Sequence, residues 1–302
     1  MEELLAKLRD GDPVAPSQLM LLSELSEEGC RLWQQEWPYL PQERRQQLVR
    51  TLAQLGEDCI ESDFGRAFHI ILEDEDETVV LWAIKGLSYC EDRWLIGALV
   101  KLLHNDARPS VRAAATAAME RFALLAALGK LSPEDETSVA VALISTTQNQ
   151  KETEEVRCQA LRGAGALELS RVKEIIHQAY QSSSLLLRLS AVYAMGMNCN
   201  PYWLPTLIAE LDSPHQEMRQ EAARALGELE DERAVPHLAL LLQDPYSQAR
   251  EAAFQALSNI GGEEAKQLLL LCLKDPSPQI RAAARRALRQ LNTRDNLSSL
   301  FS

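Results

Sequence analysis

The 302-residue chain is short of most things that announce a chemistry. Aromatic residues make up only 5%, and none of the six cysteines forms a CxxC pair. No apolar run approaches the ~20 residues that a membrane-spanning helix needs. The opening MEELL starts an amphipathic helix and not the charged and then apolar stretch of a secretion signal, so the expected location is the cytoplasm. There Cys30, Cys59, Cys90, Cys158, Cys199 and Cys272 are expected as free thiols, with Cys59, Cys90 and Cys199 filling small core positions at helix ends. None of the five histidines is followed by Glu or sits in HExxH or HxxxH spacing. Phosphate loops of the GxxxxGK[ST] kind, GxGxxG turns and GxSxG elbows are also missing. No catalytic residue, metal or cofactor is therefore expected. Positive charge is scarce too: 31 Lys and Arg stand against 44 Asp and Glu, a net −13. That speaks against nucleic acid as a partner, since such binding needs a basic footprint. The deficit is local, because residues 1–80 hold 7 basic against 18 acidic residues and residues 81–302 hold 24 against 26.

What the chain has instead is a repeat. The string MRQEAARALGEL at residues 218–229 returns as AREAAFQALSNI (249–260), IRAAARRALRQL (280–291), LRLSAVYAMGMN (187–198), VRCQALRGAGAL (156–167) and VRAAATAAMERF (111–122). Arg157, Arg188, Arg219, Arg250 and Arg281 follow one another at 31-residue steps, the mark of a stacked-repeat architecture. Counted from the arginine, positions −1, +3, +6, +7 and +10 are nearly all apolar or Ala, which places them on one helix face. A second amphipathic run precedes each arginine, with Pro205 and Pro236 in a first-turn position where the missing N–H is not needed. Asp-Pro and Asp-Ser-Pro breakers separate the two runs. A hairpin of about 30 residues cannot bury its own apolar face and must lean on its neighbours. The predicted fold is all-α, an α-α superhelix of about nine helical hairpins.

The V-R-x-x-A-x-x-A-L-G core, together with an Asp six residues before the Arg, resembles a HEAT repeat. The particular likeness is to the short bacterial kind of the phycobilisome-lyase HEAT-like group. The resemblance implies a ladder in which these two side chains interact along the turns between repeats, carried here by Asp106 with Arg112, Asp244 with Arg250 and Asp275 with Arg281. Asp212 lies seven before Arg219, and Lys151 and Ser182 precede Arg157 and Arg188, so the ladder is not extended to them. It implies a non-enzymatic scaffold or adaptor, with a subunit of a bilin-chromophore lyase as the alternative and a DNA base-excision enzyme as a distant third. A HEAT-like hydroxylase with a di-iron site would need His-Glu dipeptides, which the chain lacks.

Three segments are expected. Residues 1–60 form two degenerate capping hairpins, with Leu19, Leu22 and Leu25 inward and Trp33 and Trp37 in the second. Residues 61–291 form the array, in which Val80 stands in the arginine position. Asp74-Glu75-Asp76-Glu77 reads as a solvated turn favouring a helix N-terminus, without the central Gly of a calcium loop. The step from Arg112 to Arg157 is 45 residues instead of 31, and the surplus near 122–136 reads as an overlong helix stopped at Gly129-Lys130. Residues 292–302 form a polar tail whose Leu297, Leu300 and Phe301 are placed to fold back over the last repeat.

If the second helices line a concave surface, positions +1, +5 and +8 lie opposite their apolar face. Those positions carry Lys85, Arg162, Arg224, Arg286 and Arg289 against Glu120 and Glu251, plus Leu189 and Tyr193 one helical turn apart. The expected partner is an acidic or amphipathic protein segment seated on Lys85, Arg162, Leu189, Tyr193, Arg224 and Arg286, centred on Leu189 and Tyr193; neither nucleic acid nor a membrane is expected.

Overall fold

In the computed structural model, residues 1–23, 25–58 and 62–301 are described, with side chains as far as residue 294. Cys59 and the side chains of Leu297, Leu300 and Phe301 lie outside the described residues. Every regular element among these residues is helical. In order they are α1 (Glu2–Asp10), α2 (Pro16–Leu19), α3 (Glu27–Glu36), α4 (Gln42–Asp58), α5 (Gly65–Ile71), α6 (Glu77–Gly86), α7 (Arg93–Asn105), α8 (Pro109–Ala127) and α9 (Pro133–Gln148). Then come α10 (Glu154–Ala164), α11 (Ser170–Tyr180), α12 (Leu185–Met197), α13 (Leu204–Glu210), α14 (Gln216–Leu229), α15 (Val235–Leu241), α16 (Ser247–Ile260), α17 (Gly262–Cys272) and α18 (Pro278–Phe301). Taken in pairs they are nine hairpins among the described residues. The helix α18 runs straight through the segment expected as a separate polar tail, because residues 292–301 contain no Gly or Pro to stop it.

Local chemistry explains where the helices start. Ser26, Asp76, Thr153 and Ser184 each accept a hydrogen bond from the backbone N–H three residues on, which satisfies one of the orphan donors of a first turn. Proline opens α2, α8, α9 and α18, where its missing N–H costs nothing. In the tight turn between paired helices, Asp74, Asp106, Asp244 and Asp275 each accept, at 2.8 Å, the N–H two residues further on. This side-chain turn is what the recurring Asp supplies.

The chain divides into two compact units, one of Met1–Leu125 with Gly129–Ala142, the other of Ala126–Leu128 with Leu143–Ser302. Gly129, at φ +66, ends the long α8. In the first unit Trp33, Phe68, Phe122, Leu8, Leu22 and Leu52 are fully buried. In the acidic stretch Glu75 and Glu77 are exposed, as in the expected solvated turn, and Asp74 departs from it. Asp74 is only 8% exposed, accepting from the Trp37 indole at 2.6 Å and facing Arg45 at 3.2 Å. Only Asp76 performs the expected capping, taking the Val79 N–H as well as the side chains of Gln42 and Gln46. A lone buried carboxylate would be costly, and here the arginine and indole of the preceding hairpin compensate it. The expectation of core thiols also needs correcting. Cys158 is buried, but Cys30, Cys90 and Cys272 are half-buried and Cys199 is exposed, at φ 48 in the turn after α12.

In the second unit each second helix packs on the next: α10 on α12, α12 on α14, α14 on α16 and α16 on α18. The closest approaches are made by glycine. A Cβ on Gly165, Gly196 or Gly227 would lie 2.8, 2.7 and 2.9 Å from the Cα of Ala194, Ala225 and Ala256 respectively. Each of these glycines is at +8 from its arginine and each alanine at +6 in the following repeat. Ser258 takes the same +8 place and donates its hydroxyl to the Ala287 carbonyl at 3.0 Å. Position +8 is thus a packing contact between repeats.

Candidate protein-interaction face

Of the three offsets expected to be free, only +5 is consistently open. Ala117, Arg224, Gln255 and Arg286 are exposed, and Arg162 and Tyr193 are half-buried. At +1, Ala113 and Cys158 are buried and Leu81, Leu189, Gln220 and Ala282 half-buried; at +8, the glycines and Ser258 are sealed.

In the second unit the +5 row runs across the second helices of three successive hairpins, α10, α12 and α14. The guanidinium of Arg162, on α10, lies 3.6 Å from the centroid of the Tyr193 ring on α12. A cation–π contact of this kind attracts the two side chains by about 0.5–1 kcal/mol at an exposed site. Leu189 sits one turn before Tyr193 on the same helix. On α14, Arg224 is exposed and approaches Glu221 at 3.9 Å, while the Glu221 side chain is only 13% exposed. Burial pushes the Glu221 carboxyl above its ordinary range, and Arg162 and Arg224 pull it back down. Arg162, Glu221 and Arg224 are therefore coupled electrostatically, a half-buried carboxylate between two guanidinium groups, and Tyr193 joins them through its stack on Arg162. Glu221 was not among the residues expected at the site. The signal for it is its offset, +2, where the other repeats carry Trp82, Ala114, Gln159, Ser190, Ala252 and Ala283 and no other charge.

The remaining residues of the expected face are committed elsewhere. Arg286 makes two 2.9 Å bonds to the carboxylate of Glu251. Lys85, in the first unit, pairs with Glu57 at 3.2 Å and lies 4.7 Å over the Trp82 ring. Each is exposed but carries its counter-charge with it.

The arginine–aspartate ladder has a different geometry from the one implied by resemblance. Arg112, Arg250 and Arg281 donate to the backbone carbonyls of Asp106, Asp244 and Asp275, at 2.9, 2.6 and 2.8 Å. The side-chain hydrogen bonds to the carboxylates come from other residues. Asp244 receives two bonds from Arg219, in the preceding repeat, at 2.7 and 3.0 Å. Arg219, left out of the ladder on spacing, is therefore a rung of it, and its own turn is served by the Ser213 carbonyl at 2.9 Å. Asp275 takes Gln243 at 3.1 Å, and Asp106 is held by Arg108 at 2.7 Å. These hydrogen bonds, from Arg219 and Arg108, are the chief reason that Asp244 and Asp106 stay below the usual carboxylate range.

Residues 204–289, from α13 into α18, match the family described as HEAT repeats. These residues carry HEAT repeats. No curated protein sequence matches the chain. Among solved structures, importin beta superposes at a TM-score of 0.51 and 14% identity, over 91% of this chain and 42% of that one. At that identity the likeness concerns the fold alone, and this chain spans less than half of importin beta. Human deoxyhypusine hydroxylase in complex with glycerol is similar at 0.37 and 20% identity, over 92% of this chain and 100% of that one. An engineered protein gives 0.42 and 19% over 66% and 96%. Among the described residues, no three His, Cys, Asp or Glu side chains converge in a way that would hold a metal ion, and no helix is long and apolar enough to cross a membrane.

Proposed function

We propose that the chain is a non-catalytic protein-binding platform, and that the cluster on α10, α12 and α14 is where a partner segment docks. The observation that carries this reading is the Arg162–Tyr193 stack beside the half-buried Glu221 and exposed Arg224. Tyrosine and arginine are the residue types that most often anchor interfaces. Here they already contact each other without a partner, which lowers the ordering cost of binding. Leu189 and the Tyr193 ring offer apolar contact, and the two guanidinium groups offer bidentate donors to a carboxylate. The complementary partner is an acidic amphipathic segment. A repeat array supports this role because it holds successive helices at fixed spacing.

Selection of a randomised peptide library on the immobilised chain tests the reading, with the double variant Y193E/R224E for counter-selection. Acidic, amphipathic sequences retained by the parent and not by the variant are the expected outcome. Equal enrichment on both proteins would reject the site.

A further inference from the structure

The last repeat departs from the others at the positions that face onward along the array. At +4 the interior repeats carry Leu161, Val192, Ala223 and Phe254, none more than 2% exposed, and α18 carries the exposed Arg285. At +8 they carry the buried Gly165, Gly196, Gly227 and Ser258, and α18 carries the exposed Arg289. On the first helices, Leu211 and Leu242 are 4% and 2% exposed, while their counterpart Leu273 is half-buried. Leu270 beside it is 46% exposed, where Ile208 and Ala239 are half-buried. The onward face of the α17–α18 hairpin is thus two leucines flanked by two arginines, and neither arginine makes an ion pair among the described residues. Among the described residues this face is cationic and keeps apolar area open.

The first hairpin carries the opposite chemistry. A hollow of about 580 Å³ lies between α1 and α3, with Leu21, Leu25 and Leu32 in its lining and Glu2, Glu3 and Glu28 around it. Leu21 is 54% exposed. Glu3 is bridged to Lys7 at 3.0 Å, which leaves Glu2 and Glu28 as exposed carboxylates without an ion pair among the described residues; Met1, with its ammonium, also lies in the lining, one positive charge against three carboxylates. Two unpaired carboxylates around an apolar hollow match two unpaired arginines around exposed leucines. We infer that this chain associates head to tail, the α17–α18 face of one copy seating on the α1–α3 hollow of a second copy. Such a contact joins two different surfaces, so each copy keeps one free end and growth continues until a ring closes.

Sedimentation velocity over a range of concentrations, at about 0.01 M and again at about 1 M salt, is the test. The parent chain is expected to gain mass with concentration at low salt and to revert to monomer at high salt. R285E/R289E and E2R/E28R are each expected to stay monomeric, because one reversal leaves like charges opposed. Their equimolar mixture is expected to associate again, since each then presents the charge the other needs. The neutral pair R285Q/R289Q, which disturbs the fold least, is expected to need at least roughly tenfold higher concentration, about 1.4 kcal/mol. A parent chain that stays monomeric at low salt, association unchanged in R285Q/R289Q, or a mixture that remains monomeric would overturn the inference.

Discussion

Replacing Gly196 with Ala asks whether the repeats are held as closely as their geometry implies. In an exposed helix interior that change removes a flexible residue and stabilises by about 1 kcal/mol. At Gly196 the added Cβ would sit 2.7 Å from the Cα of Ala225 and 2.9 Å from its Cβ. The obstruction is helix backbone, which cannot rotate aside, so α12 and α14 must separate along their contact. Overpacking of this kind costs about 1–3 kcal/mol, and the propensity gain offsets part of it. The expected result is a net loss of about 1–2 kcal/mol, and the same for Gly227→Ala against Ala256. Gly97 is the internal control. It lies within α7 with nothing within 4 Å of a built Cβ, so Gly97→Ala is expected to stabilise by about 0.5–1 kcal/mol. Urea unfolding followed by circular dichroism at 222 nm reads all three. If Gly196→Ala and Gly227→Ala stabilise the chain as Gly97→Ala does, the close approach of successive second helices is wrong.

Two further expectations concern charge. Asp244→Asn leaves Arg219 without its two charged bonds, and because both side chains are largely shielded the loss is expected at about 3 kcal/mol. Arg219 holds the Asp244 carboxyl below its ordinary range, so the pair's contribution is complete above the unfolded value of about 3.9 and disappears as pH falls through the lower folded one. Acid titration of stability should lose that component in the variant; identical acid limbs for both proteins would refute it. Glu221 is the reverse case. Burial raises its carboxyl, so its favourable contribution is present below about 4.3 and is lost as pH rises through the folded value. Glu221→Gln is therefore expected to be more stable than the parent at pH 7 and to lose that advantage at pH 4, measured by thermal melting, and a clear loss at pH 7 would count against a penalised carboxylate.

The all-helical repeat was legible because an arginine and a set of apolar offsets recur every 31 residues, and hydrophobic period is the strongest signal a single sequence carries. The exposed face was only partly legible. Offsets +1, +5 and +8 fall within about 60° of one another on a helical wheel, so one wheel sector held both the open and the buried positions. A second helix of a stack touches its own hairpin partner and a neighbour on each side, leaving a narrower strip than an ordinary surface helix. Glycine misleads most here, since Gly165, Gly196 and Gly227 count as non-apolar yet occupy close backbone contacts between repeats. Asp74 and Glu221 were obscured for a related reason. Their surroundings come from residues about 30 or more positions away, such as Trp37 for Asp74 and Arg162 for Glu221, and no local pattern reports such a neighbour. The ladder misled because the Asp carbonyl, not its carboxylate, takes the arginine six residues on, while the carboxylate goes to a different partner in each turn, Arg219 for Asp244, Gln243 for Asp275 and Arg108 for Asp106, a division that spacing within one repeat does not reveal.

The glycine-to-alanine fit has a consequence for how such a chain changes length. Because the +8 surface of one hairpin is the mould for the +6 surface of the next, a duplicated hairpin spliced in register among α11–α16 would find both of its flanks already shaped. Genetic gain or loss in whole 31-residue steps leaves every seam in that stretch intact, whereas a fractional step puts a side chain where only a hydrogen fits. The 45-residue step between Arg112 and Arg157 falls where the division between the two compact units also lies.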